Sequence, residues 1–128
     1  MAYTFSNTLR RDFDDAIEHV TARLAETGFG ILTEIDVQEA MKKKLGKEFR
    51  RYRILGACNP PFAYQALLAE PKIGAMLPCN VIVQDNEDGT VEVSAVDPVA
   101  SMAAIENPAL TDIAGEVREM LKKTIETL

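Results

Sequence analysis

The chain is poor in the residues that most enzymes use for chemistry. Its 128 residues include one histidine, two cysteines and no tryptophan. A single histidine excludes the His-rich ligand sets of zinc enzymes. With no Cys-x-x-Cys spacing and His19 far from both thiols, a structural zinc site is not expected, and no metal ligand set is assigned. Glycine-rich phosphate loops are absent as well: Gly28 and Gly30 lack a third glycine and precede a strand instead of following one. No apolar run approaches the ~20 residues needed to cross a bilayer. Positive charge is also scarce overall. The net charge of −6 argues against nucleic acid and against anionic membranes as partners. Residues 1–7 have no basic start leading into an apolar core, so a signal peptide is not expected. Together these absences predict a cytoplasmic protein with reduced cysteines.

What is present reads as globular. The apolar share is 47% against 27% charged, and the length suits one α+β domain spanning residues 1–128. Charge is unevenly placed. Between Lys42 and Arg53 there are seven basic residues and one acid, Glu48, whereas the remainder carries seven basic and nineteen acidic residues. The plain reading of this basic run is a solvated face. The sharper one is a docking surface for an anion or an acidic partner. No aromatic interleaving supports stacking on nucleic acid.

Periodicity places the elements. Tyr3 to Leu9 alternates as a half-buried strand. Asp12 is placed to cap a helix reaching about Thr27, with Phe13, Ala16, Ile17, Val20 and Leu24 on one stripe, and Gly28 ends it. His19 lies about 200° from Ile17 on the helix wheel and is read as facing water. A second strand covers Phe29 to Ile35, with Phe29, Ile31 and Ile35 in phase. Asp36 with Glu39 then forms a capping-box pattern before a short helix from Val37 to about Leu45, closed by Gly46. Arg51 to Ala57 is the third strand. Asn59 and Pro60 open a helix to about Glu70 showing Phe62, Leu67 and Leu68, with Pro71 as its breaker. Cys79 to Gln84 and Thr90 to Val96 form a hairpin around Asn86-Glu87-Asp88-Gly89. Asp97-Pro98 and Asn107-Pro108 each start a helix, the second running to the C-terminus with a stripe of Ile113, Val117, Met120, Leu121, Ile125 and Leu128.

Clean alternation in most strands predicts an antiparallel five-stranded sheet with helices packed mainly on one face, a two-layer α+β sandwich. By parity the open face would hold Thr4, Ser6, Thr8, Leu32, Glu34, Arg53, Leu55, Asn80, Ile82, Gln84, Glu92 and Ser94. Leu32, Leu55 and Ile82 would interrupt it as an apolar patch able to pair with a second copy.

The candidate site lies between two Cys-Asn pairs. Cys58 ends a strand immediately before a helix N-terminus, a setting that can lower a thiol pKa and serve nucleophilic or redox chemistry. Cys79 opens a strand on its core side. Either cysteine is equally readable as a small buried apolar side chain. Asn59 and Asn80 offer hydrogen bonds to a ligand, although capping accounts for Asn59 too. Asp97 sits at a strand-to-helix junction, where both catalytic carboxylates and ordinary caps occur. A two-coordinate copper(I) site from Cys58 and Cys79 is an open alternative, since soft thiolates select that ion.

Several segments carry a family resemblance. They are Leu55-Gly56-Ala57-Cys58-Asn59-Pro60, Ala66-Leu67, Glu70-Pro71-Lys72-Ile73-Gly74, Leu77-Pro78-Cys79-Asn80-Val81 and Val96-Asp97-Pro98, with Asp36-Val37 and Lys44-Leu45-Gly46 upstream. This combination resembles the domain-of-unknown-function family 302 over nearly the whole chain. The resemblance implies a compact α+β domain with an antiparallel sheet, similar in outline to TBP-like folds, and members that can form homodimers. It implies no activity, substrate or cofactor. The functional expectation is therefore a small cytoplasmic homodimeric binding or interaction domain. Its pocket would hold a small molecule near Cys58, Asn59, Cys79, Asn80 and Asp97. The alternatives are a thiol-dependent redox or sulfur-handling protein using Cys58 as its catalytic residue, and a metal- or anion-binding module.

Overall fold

The computed structural model describes residues 2–128. Five strands form one antiparallel sheet in the order β1-β5-β4-β3-β2: β1 Thr4–Leu9, β2 Gly30–Asp36, β3 Tyr52–Cys58, β4 Cys79–Asp85 and β5 Val91–Val96. Helices α1 (Phe13–Glu26), α2 (Val37–Leu45), α3 (Pro60–Ala69), α4 (Pro98–Ser101) and α5 (Pro108–Glu126) connect or follow them, and a 3₁₀ segment, Pro71–Met76, lies between α3 and β4. The expected α+β class and the antiparallel five-stranded sheet are what the chain adopts. The periodic stripes of α1 and α5 cover one sheet face: Phe13, Ala16, Val20 and Leu24 from α1 meet Val117, Leu121 and Ile125 from α5 over Val81, Val83, Val93 and Ala95. A smaller cluster of Ala66, Ile73 and Leu110 sits apart, with Leu77, Met102, Ile105 and Ile113 packed around it.

Two sequence phases are reversed. Leu55, expected on the open face, is 1% exposed and pairs with Val81 in the core. Arg53 shares that core-side phase and lies over the Phe13 ring while pairing with Glu34 and Asp36. Tyr52, Ile54 and Gly56 take the other side. Strand β3 is apolar at Ile54-Leu55 and small at Gly56-Ala57, so alternation carries no clear phase there. In β2 the cause is a bulge. Ile31 pairs with Ala57 and Thr33 with Gly56, leaving Leu32 unpaired. The extra residue flips the parity, so Ile31 packs on the core while Ile35 is 50% exposed.

The open face consequently carries a different apolar row. Ile35, Ile54 and Ile82 are successive cross-strand partners, continued by Ser94 and Ser6, whose hydroxyls hydrogen-bond at 2.8 Å. Other expectations change in detail. The Asp12 side chain makes no cap bond and instead approaches Arg51. Asp36 does cap α2, accepting from the Glu39 N–H at 3.0 Å. His19 is half-buried, its Nε2 2.9 Å from the Leu128 carbonyl, rather than facing water. Leu68 lies on the outside of α3, 68% exposed, whereas Leu67 is 43% exposed and faces Gly74 of the 3₁₀ segment.

Candidate functional site

The two clusters of apolar residues do not merge, and the seam between them is a cavity of about 320 Å³. The end of β3 supplies Ala57, Cys58 and Asn59, and the start of β4 supplies Cys79, preceded by Leu77 and Pro78. Helix α3 contributes Phe62, Ala63 and Ala66, and α5 contributes Leu110, Ile113, Ala114 and Val117. Pro98 and Met102 close one side at α4. Space survives because alanine or glycine stands at Ala57, Ala63, Ala66, Gly74 and Ala114, where larger side chains would fill it.

Of the five residues picked out by sequence, three meet here. Cys58, Asn59 and Cys79 line the cavity, whereas Asn80 is exposed on the open sheet face opposite Gly56. Alternation separates it from Cys79: consecutive strand residues point to opposite sides. Asp97 is buried but committed elsewhere. Its Oδ1 accepts from the Val99 N–H at 2.9 Å and the Ala100 N–H at 3.4 Å, and Arg118 Nε donates to Oδ2 at 3.2 Å. It caps α4 and ties it to α5.

Asn59 occupies the N-cap position of α3 without capping it. The first two helical residues, Pro60 and Pro61, have no N–H to satisfy. Its side chain turns instead toward the connection between α1 and β2, donating to the Thr27 carbonyl at 3.4 Å and lying against Gly28. Gly28 has φ +86°, and a Cβ there would come within 3.1 Å of the Asn59 amide. That fit anchors the cavity to the α1–β2 turn.

The same two prolines also leave Cys58 fewer donors to favour a thiolate. A helix N-terminus lowers a thiol pKa through its free N–H groups, and α3 has lost two of them. Burial prevails. It pushes the Cys58 thiol above its ordinary value instead of below it. Cys79 is pushed up to about 11, first by burial and then by the neighbouring Cys58. Both are neutral thiols at neutral pH, soft and weakly polar parts of an apolar wall.

Sequence reasoning missed most of this wall. Ala63, Ala114 and Met102 carry no motif, Ala66 entered only as part of the family pattern, and a void left by small residues on separate helices has no local signal. The basic run, by contrast, divides. Arg50 bonds Gln84 and stacks on Phe49, Arg51 pairs with Asp85, and Arg53 pairs with Glu34. Lys42, Lys43, Lys44 and Lys47 are exposed on or after α2 and enter no ion pair among the described residues. Among those residues, too, no three His, Cys, Asp or Glu side chains are grouped to hold a metal ion, and no helix is long and apolar enough to cross a membrane.

Comparison with known proteins is specific about ancestry. The family model described as "Domain of unknown function DUF302" matches residues 5–128. The crystal structure of an uncharacterized conserved DUF302 protein from Bacillus stearothermophilus is similar at 26% identity, with a TM-score of 0.90 over 98% of both chains. No curated protein matches the chain.

Proposed function

The chain belongs to the domain-of-unknown-function family DUF302, and we propose that it is a small cytoplasmic homodimeric binding domain that holds a compact, largely apolar molecule between α3, α5 and the β3–β4 ends. The cavity carries this reading. Its 320 Å³ lies at the lower end of the roughly 300–1,000 Å³ typical of small-molecule sites. Its side chains present one amide and two neutral thiols among hydrocarbon. A ligand burying about 200 Å² of apolar surface there would gain about 5 kcal/mol before association costs. That favours modest affinity and a ligand that carries little charge into the cavity.

A second copy is supported by the open sheet face. Five strands about 4.8 Å apart and six residues long present about 500 Å² per copy, which reaches the scale of about 1,000 Å² in total that a specific contact requires. Glu92 is the one charged residue that its strand position puts on this face. A face with so little charge can meet itself on a chain of net charge −6 without strong repulsion.

Filling the cavity tests the first claim. Ala63→Trp should weaken binding of an environment-sensitive apolar dye, and its displacement by short alkyl acids, at least about tenfold while keeping the melting temperature. Dye binding that is unchanged in the folded variant would remove the cavity as the ligand site.

A further inference from the structure

The lining of the cavity repeats along two helices. On α3 it takes Asn59, Phe62, Ala63, Ala66 and Leu67, and on α5 Leu110, Ile113, Ala114 and Val117. Steps of three and four residues keep one face of each helix on the cavity for about two turns, which is about 12 Å along α3. The helices are tied at one end, where the Asn107 side chain donates to the Ala69 carbonyl at 2.9 Å. The cavity is therefore a slot along α3. Over that length its 320 Å³ is a bore about 5 Å across, the width of one hydrocarbon chain at carbon contacts of ~4 Å.

The two ends of the slot differ. Leu32, Leu67 and Gly74 line it and are exposed, so it opens between the β2 bulge, the end of α3 and the 3₁₀ segment. Asn59, about two turns before Leu67 along α3, is 9% exposed and lies at the inner end. Its Nδ2 is committed to the Thr27 carbonyl, which fixes the way the amide is turned. Oδ1, on the other side of the same carbon, accepts no hydrogen bond among the described residues. Among those residues Arg53 Nε alone is both unpaired and sealed off, so Oδ1 borders open space. It is the one side-chain oxygen in the walls of the slot. An acceptor in hydrocarbon calls for a donor on the ligand.

Resting on the apolar-ligand reading, we propose that the ligand is an unbranched aliphatic alcohol of medium chain length. Its hydroxyl lies inward and donates to Asn59 Oδ1, and its hydrocarbon runs along α3 to the leucines at the mouth. A slot of about 12 Å holds roughly eight to ten carbon–carbon bonds, each advancing a little less than its ~1.5 Å length. A carboxylate cannot take the inner position. It only accepts hydrogen bonds, the Asn59 donor is already taken, and its charge would be buried without a partner. An alkyl acid therefore enters methyl end first, with its carboxylate left in water at the mouth.

The test is displacement of the apolar dye from the full chain by a series of straight primary alcohols. Affinity should rise about fourfold per added methylene and level off at roughly nine carbons, where the slot is full. Each alcohol should bind about fivefold more tightly than the methyl ether of equal length, which has no O–H to donate. Asn59→Ala, checked for folding by circular dichroism, should erase that advantage. Where the variant does not fold, the alcohol–ether comparison on the parent chain decides alone. Equal affinity for alcohol and ether, branched isomers that bind as tightly, or no dependence on length would each overturn the proposal. Its failure is separable from that of the cavity reading. Dye binding that Ala63→Trp leaves unchanged removes the cavity itself, whereas dye binding that Ala63→Trp weakens, with no preference among alcohols, removes the alcohol alone.

Discussion

At the scale of single residues, the behaviour of the two thiols follows from what surrounds them and not from where they stand in the chain. Cys58 precedes a helix, but Pro60 and Pro61 remove the N–H groups that would have stabilised a thiolate, and burial raises its pKa. Alkylation of Cys58 by iodoacetamide should therefore be slow at pH 7, speeding up only in alkaline solution, with Cys79 slower still. Rapid modification at pH 7 would restore the case for a nucleophilic Cys58. Cys79 has a consequence for stability. Its folded pKa is about 11 against an ordinary value of 9.0, so above pH 9 the unfolded chain loses that proton while the folded chain keeps it. The unfolded state then binds fewer protons, and stability falls as pH rises from about 9 to 11. The loss should be about 1–3 kcal/mol, and Cys79→Ala should flatten that part of the pH–stability curve. Parallel curves for parent and variant would show that Cys79 does not titrate in this way.

At the scale of elements, caps and close approaches hold the cavity walls in place. Asp97 stabilises the start of α4 and pairs with Arg118 of α5, so it joins two elements that line the cavity. Asp97→Ala should cost about 1–2 kcal/mol in denaturant unfolding. Gly56 matters for a different reason. A Cβ there would lie 2.2 Å from Thr33 Oγ1 and 2.7 Å from Pro78 Cγ, so β2, β3 and the segment entering β4 pack tightly only around glycine. Gly56→Ala should destabilise by about 1–3 kcal/mol, measured by the same unfolding curves. A variant as stable as the parent would mean that Thr33 swings aside freely. Element boundaries were largely legible in the chain, because caps and breakers such as Asp36, Gly46, Pro71, Gly89 and Asn107-Pro108 act on their own neighbours. Face assignment was less so. The bulge at Leu32 has no local signature, and one inserted residue reverses every side chain beyond it.

At the scale of the whole molecule, one sheet face is covered by α1 and α5 and the other carries the row Ile35, Ile54 and Ile82. If that face joins two copies, Ile54→Glu or Ile82→Glu should shift the sedimentation coefficient to that of a monomer without unfolding the chain. Leu55→Glu is a different experiment. It places a charge in the core and should prevent folding. A parent that sediments as a monomer, or an unchanged coefficient in the isoleucine variants, would rule out this face as the contact.

Local physical chemistry in the sequence was enough to determine the strands, the helices and their ends and the antiparallel class, while the family rested on the resemblance of its motifs. Hydrophobic period, proline and capping residues exert their effects within a few positions. Tertiary structure alone decided that Leu55 is inside and Ile54 outside, that Asn80 is separated from Cys79, and that a cavity exists. Each depends on register or on volumes summed over distant residues. The two thiols show the division most plainly. Their positions are written in the chain, while their protonation depends on the hydrocarbon that α3, α4 and α5 bring around them.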